Sequence, residues 1–170
     1  MGSVRLVPLG PAHVADLEAL TTDPDVLRFT YVPDPPPVGF AEAWVDRYET
    51  GRVAGSREGF AAYGPDDTFL GAVLAPHIDW VGLEVELGYM VAPAARGMGY
   101  AAQMLDAAVA WAFTTVGALR VWLVIDAQNA ASERVATKAG FTREGVMRSV
   151  HFKQGRRIDA ALWSKLPSDS

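Results

Sequence analysis

The chain contains no cysteine. Disulfides, thiol nucleophiles and cysteine-ligated metal sites are excluded together, which suits a reducing compartment. Histidine is scarce too: His13, His77 and His151 are scattered along 170 residues, so no histidine metal cluster is expected. Long apolar runs are missing. No segment approaches the roughly 18 uninterrupted apolar residues of a membrane span, and the opening stretch MGSVRLVPLG lacks the apolar core of a secretory signal. A cytoplasmic location with no membrane partner is the expectation. Basic residues are outnumbered, 15 Lys and Arg against 20 Asp and Glu, for a net charge of -5. General nucleic-acid binding needs a dominant basic surface, so none is expected here, and an amine-bearing partner suits the chain better.

What is present is a chain that is 50% hydrophobic and 21% charged, the balance of one globular domain over residues 1–170 with a single core. SVRLVPLG (3–10) reads as a first strand closed by Gly10-Pro11. PAHVADLEALTT (11–22) spaces Val14, Leu17 and Leu20 about one helical turn apart. The segment 23–39 carries five prolines between Pro24 and Pro37 and allows at most a helical turn in an otherwise rigid loop. FAEAWVDRYETG (40–51) brings Phe40, Trp44 and Tyr48 onto one helical face.

Three strand-like runs follow at 58–64, 68–80 and 83–91. Their separators are too short for a parallel return, so they form an antiparallel meander. Residues 99–117 place Ala101, Met104, Leu105, Ala108, Ala112 and Val116 on one stripe and stop at Gly117. LRVWLVID (119–126) is apolar almost throughout, as a strand covered on both faces should be. AASERVATKAGF (130–141) is a helix with Val135 inward, Lys138 in its last turn and Gly140 as terminator. The tail 145–166 divides at KQGR into a hairpin. Repeats, low-complexity tracts and linkers are absent. The order predicts an α/β fold: a mixed, mostly antiparallel sheet of about seven strands with about four flanking helices.

The stretch Arg96-Gly97-Met98-Gly99-Tyr100-Ala101 opens the strongest helix. Its first amide hydrogens have no acceptor inside the helix and lie at the positive end of the macrodipole, so they can form an anion pocket. Glycines at 97 and 99 permit close approach of the main chain, and Arg96 supplies a forked cation suited to phosphate oxygens. By themselves these residues also fit a tight strand-to-helix turn with a solvated arginine.

The R-x-x-G-x-A pattern following ELGYMVAP, with NAASERVATKAGF some way downstream, resembles the GNAT acyltransferase family and within it the RimJ/RimL-like branch. The resemblance covers nearly the whole chain. It implies an N-acetyltransferase in which acetyl-CoA is the acyl donor and no metal takes part. It further implies that Arg96, Gly97, Met98, Gly99, Tyr100 and Ala101 bind the pyrophosphate, that the main chain at Met90 and Val91 pairs with the pantetheine arm, and that Asn129 reaches this arm from across two splayed strands. Direct attack of an amine within a ternary complex follows from the same resemblance. The acceptor is an amine, either a small molecule or a protein N-terminus.

The residues themselves bear on the chemistry. An unpaired strand edge can hydrogen-bond the amides of a pantetheine arm as if adding a strand, and Pro93, which has no amide hydrogen, ends that edge. Glu86 shares a strand face with Glu84 and Met90, while Leu83, Val85, Leu87, Tyr89 and Val91 share the other. Glu86 can accept the amine proton directly or through water, or can serve as a carboxylate that attracts a cationic acceptor. Many family members carry a tyrosine in the helix after the fifth strand to protonate the leaving sulfur, and NAASERVATKAGF has none. Ser132 stands in that neighbourhood and can donate a hydrogen bond to sulfur. Tyr31, Tyr89, His151 and Asp159 are further options. Asn129 and Ser132 also fit simple helix caps, and Lys138 a dipole partner.

Other readings stay open at this stage. The chain can be a catalytically silent acyl-CoA-binding module, or a transferase of a larger acyl group such as succinyl. A dinucleotide-binding fold fits poorly, because RGMGYA follows a meander and not the first strand of a βαβ unit. Exposed hairpin edges allow a homodimer without demanding one.

Overall fold

Alternating and β-branched runs become seven strands of one sheet: β1 (Arg5–Pro8), β2 (Glu58–Tyr63), β3 (Phe69–Asp79), β4 (Glu84–Val91), β5 (Arg120–Asp126), β6 (Thr142–Lys153) and β7 (Arg156–Lys165). They lie side by side in the order β1-β2-β3-β4-β5-β7-β6. The structure is a computed structural model and describes residues 3–169; the expected domain 1–170 also takes in Met1, Gly2 and Ser170, which lie outside the described residues. Strands β1 to β4 form the antiparallel meander that their short separators dictate. Among the described residues only β4 and β5 run parallel, because the chain returns between them through a helical crossover. In the β6–β7 turn, Gln154 and Gly155 take φ of 49° and 76°, the left-handed pair whose twist matches a two-residue hairpin. Strand β6 begins at Thr142 rather than Gly145. Its early part is held by cross-strand pairs to Ser164 and Trp163 and by Glu144, which accepts hydrogen bonds from Arg120 and Ser164.

The helices are α1 (Val14–Thr21), α2 (Pro24–Phe29), α3 (Phe40–Val53), α4 (Tyr100–Trp111) and α5 (Ala130–Lys138). A π turn over Ala112–Val116 prolongs α4 to Gly117, whose φ of 74° ends it. Helix α2 adds to the four that periodicity suggests. It forms inside the proline-rich segment because Asp23 accepts hydrogen bonds from the amides of Asp25 and Val26, both at 3.1 Å, and Pro24 occupies the first helical position.

Composition suggests a single core, but the sheet, covered by helices on both faces, separates two. Val85, Leu87, Leu105, Ala108, Val121 and Leu123 pack on the face covered by α4 and α5. Leu17, Leu20, Val45, Tyr48, Ala72 and Met90 pack on the face covered by α1, α2 and α3. A fully buried leucine such as Leu105 contributes on the order of 2 kcal/mol of transfer energy, so each layer holds the sheet firmly.

One irregularity positions the site. The parallel pairing of β4 with β5 ends after Glu84–Arg120, Val85–Val121 and Glu86–Trp122. Beyond Trp122, β5 stays paired with β7 as far as Asp126. The two strands therefore part company after Glu86, and β4 from Leu87 to Val91 keeps one edge unpaired.

Candidate active site

The cradle lies where β4 turns into α4. Here the amides of Ala92, Ala95 and Arg96 bond to Leu70, Ala92 and Pro93 carbonyls, whereas those of Gly97 to Ala102 have no backbone acceptor among the described residues. Gly97 and Gly99, with φ of 75° and 80°, turn the chain in the left-handed region that favours glycine. Unpaired amides thus collect at the positive end of α4, with Met98 projecting to solvent and Tyr100 packed against the first core. A cation stands beside them. Lys138 Nζ lies 3.3 Å from where a Cβ on Gly99 would be. Sequence reasoning gave Lys138 to the dipole of its own helix; only the packing of α5 beside α4 brings its ammonium to this turn.

Arg96 departs from expectation. Its guanidinium is not a free fork: Nη2 lies 2.5 Å from Asp23 Oδ1, Nη1 lies 3.1 Å from Asp25 Oδ2, and Nε donates to the Val91 carbonyl at 3.2 Å. Two carboxylates at the start of α2 compete successfully for a cation that the motif alone would leave for phosphate. Burial pushes the Asp23 carboxyl up, but hydrogen bonds from Arg96 and from the Val26 and Asp25 amides outweigh it, leaving its pKa below the ordinary value. The main chain of Arg96 still opens the glycine turn.

Along the free edge of β4, Met90 buries its side chain in the second core and offers only its backbone. Val91 packs its side chain against the first core. Gly88 shares the Glu86 and Met90 face, and a Cβ placed on it would meet nothing within 4 Å. An open notch therefore lies over the splay. Glu86 flanks this notch, paired across the strands with His77 and Trp122. Burial pushes its carboxyl up, and the nearby His77 offsets this only in part.

On the other face, the Tyr89 hydroxyl lies 2.7 Å from Ser132 Oγ and 3.3 Å from the Ser132 carbonyl. Burial pushes the phenol up to about 12 despite the Ser132 hydrogen bond. Strand β4 thus brings a phenol to the helix that lacks a tyrosine of its own. Asn129 behaves as a cap: its Oδ1 accepts from the Ser132 amide at 3.1 Å, while its amide nitrogen can donate to a ligand. Tyr31 and His151 come together edge to face, 4.7 Å between ring centroids. Asp159 does not join them. Its carboxylate accepts from the Ser149 amide at 2.7 Å, a residue with φ of 52°, and so holds an irregularity in β6. Among the described residues no group of three His, Asp or Glu side chains is arranged to hold a metal, and no helix is long and apolar enough to cross a membrane.

Comparison with known proteins bears on this geometry. Over 79 residues the chain is 32% identical to the uncharacterized N-acetyltransferase YoaA of Bacillus subtilis (strain 168), a match covering 46% of this chain and 45% of that protein, so it spans under half of the relative's length. The fold superposes on the Vibrio cholerae spermidine N-acetyltransferase in complex with CoA and spermine, with a TM-score of 0.86 and 18% identity over 98% of this chain and 97% of that one. It also superposes on RimL, a ribosomal alpha-N-protein acetyltransferase in complex with coenzyme A, with a TM-score of 0.89 and 18% identity over 99% and 96%. The acetyltransferase (GNAT) domain matches residues 3–142. Since that span runs from β1 through α5 and holds the glycine turn, the notch and the splay, the chain belongs to the GNAT acetyltransferase family.

Proposed function

We propose that residues 1–170 work as one N-acetyltransferase domain that moves an acetyl group from acetyl-CoA to a primary amine in a ternary complex. The early end of the β4–β5 pairing carries this reading, because it leaves a strand edge that an amide-bearing arm can complete. The unpaired amides of Gly97 to Ala102 and the Lys138 ammonium suit the diphosphate of the donor. The backbone of Met90 and Val91 and the amide nitrogen of Asn129 suit its pantetheine arm. The notch at Gly88 then takes the thioester, and acetyl transfer is the chemistry that the donor supplies there.

Glu86 is the catalytic carboxylate of this reading. Flanking the notch and half-buried, it draws the cationic acceptor towards the thioester. Ser132 serves the departing sulfur. Tyr89, with a pKa near 12, is too weak an acid to give its proton up fully, so the hydroxyl pair acts by hydrogen bonding to the developing thiolate. The acceptor is a small-molecule amine or a protein N-terminus. A polyamine and a ribosomal protein serve two proteins of this fold, and both present amines.

The test is acetylation of spermidine, spermine and a peptide with a free N-terminus by the purified chain, followed by mass spectrometry, alongside calorimetry with acetyl-CoA. An acetylated amine supports the reading. Binding of acetyl-CoA with no product from a broad amine panel makes the protein a silent binding module, and no binding overturns both. Gly88→Leu should fold, since its Cβ meets nothing, yet lose product formation by filling the notch.

A further inference from the structure

Resting on that reading, the acceptor side of the cleft carries a group that the donor site leaves unused. His151 sits on β6 opposite Ile158 of β7 and lines a cavity of about 30 Å³ together with Arg28, Tyr31, Val124, Asp126 and Lys153. Its Nε2 is buried and has no hydrogen-bond partner among the described residues. Leaving such a nitrogen unsatisfied costs about 1–3 kcal/mol, a penalty that folds tolerate where a ligand completes the site. The cavity has room enough for a water molecule.

Val124 and Asp126 alternate with Trp122 on the β5 face that looks towards Glu86, so cavity and notch open on the same side of the sheet. Tyr31 links them. Its phenol is pushed up to about 12 by burial and by both Glu86 and Asp126.

The charges around His151 come from three elements. Arg28 belongs to α2, Asp126 ends β5, and Lys153 on β6 donates to the Leu27 and Thr30 carbonyls. Burial holds the imidazole below its ordinary value of 6.5, with Asp126 opposing in part. Burial therefore favours the uncharged ring. Two fixed cations beside the cavity also favour loss of a proton from an incoming ammonium.

We propose that His151 is the catalytic base, its Nε2 taking a proton, through a water held in this cavity, from the acceptor's primary ammonium while Glu86 holds that cation near Gly88. One N–H proton passes to Nε2, and the freed lone pair forms the C–N bond as the C–S bond breaks with its electron pair on sulfur. The proton that nitrogen sheds after attack neutralises the thiolate, and His151 returns its own to solvent.

The experiment joins kinetics to NMR on the full chain. The His151 imidazole should titrate below 6.5, and spermidine or an N-terminal peptide should shift its ring signals. His151→Gln should lower kcat about 10²-fold or more and abolish the acid limb of the pH profile, with acetyl-CoA affinity within about twofold of wild type. Added imidazole should restore activity to His151→Ala, which a merely structural role would not allow. An active wild type whose His151→Gln variant keeps the acid limb and changes only KM overturns this assignment alone. A wild type that binds acetyl-CoA but acetylates no amine overturns the transferase reading and the base together.

Discussion

Arg96 Nη2 lies 2.5 Å from Asp23 Oδ1, and this pair fastens the start of α2 to the turn that opens α4. Asp23 has two duties here, since the same carboxylate caps α2. Its pKa is lower in the fold than in the unfolded chain, so its contribution is present above the unfolded value of about 3.9 and fades as pH falls through the folded value. Asp23→Ala should destabilise by about 1–2 kcal/mol at neutral pH, a fall in Tm of about 3–8 °C for a chain of this size. Thermal melts from pH 7 down to pH 2 should show the gap to wild type closing at the acid end. A gap that stays constant would mean that the ion pair and cap contribute little.

The glycine turn makes a second prediction. Gly99 holds a φ of 80° with Lys138 Nζ beside it, so Gly99→Asp adds an anion where an anion should bind and ties up the ammonium. Aspartate tolerates left-handed backbone better than most residues, and the folding cost should stay near 1 kcal/mol. Acetyl-CoA affinity should fall more than about tenfold by calorimetry, beyond anything explained by that small instability. Equal affinity in the variant would move the diphosphate elsewhere.

Tyr89 and Ser132 make a third. The phenol, 2.7 Å from Ser132 Oγ, can orient the serine so that its own hydrogen points to sulfur. Tyr89→Phe and Ser132→Ala should each lower kcat about tenfold, and the double variant should be hardly worse than either single one. Additive losses in that cycle would show two independent structural effects instead of one working pair.

Much of this was legible in the chain. Periodicity located every strand, and the short separators forced the meander, because both depend on neighbours in sequence. The glycines at 97 and 99 announced an unusual turn for the same local reason. Helix α2 was harder to see. Its cap at Asp23 is a recognisable signal, yet the prolines from Pro33 onward masked it.

The candidate site was legible in part. Glu86, Gly99 and Ser132 announce themselves through alternation and motif, whereas the fate of Arg96 does not, because the carboxylates that capture it lie far away in the chain on α2. Lys138 reaches Gly99 only because two helices pack side by side, and His151 meets Asp126 only through β7 lying between their strands. Composition and spacing by themselves determined the strands, the helix start and the types of group available, since these arise from backbone geometry and side-chain alternation. Tertiary structure decided which charge finds which partner and where β4 and β5 separate, since those outcomes depend on distances that no local pattern encodes.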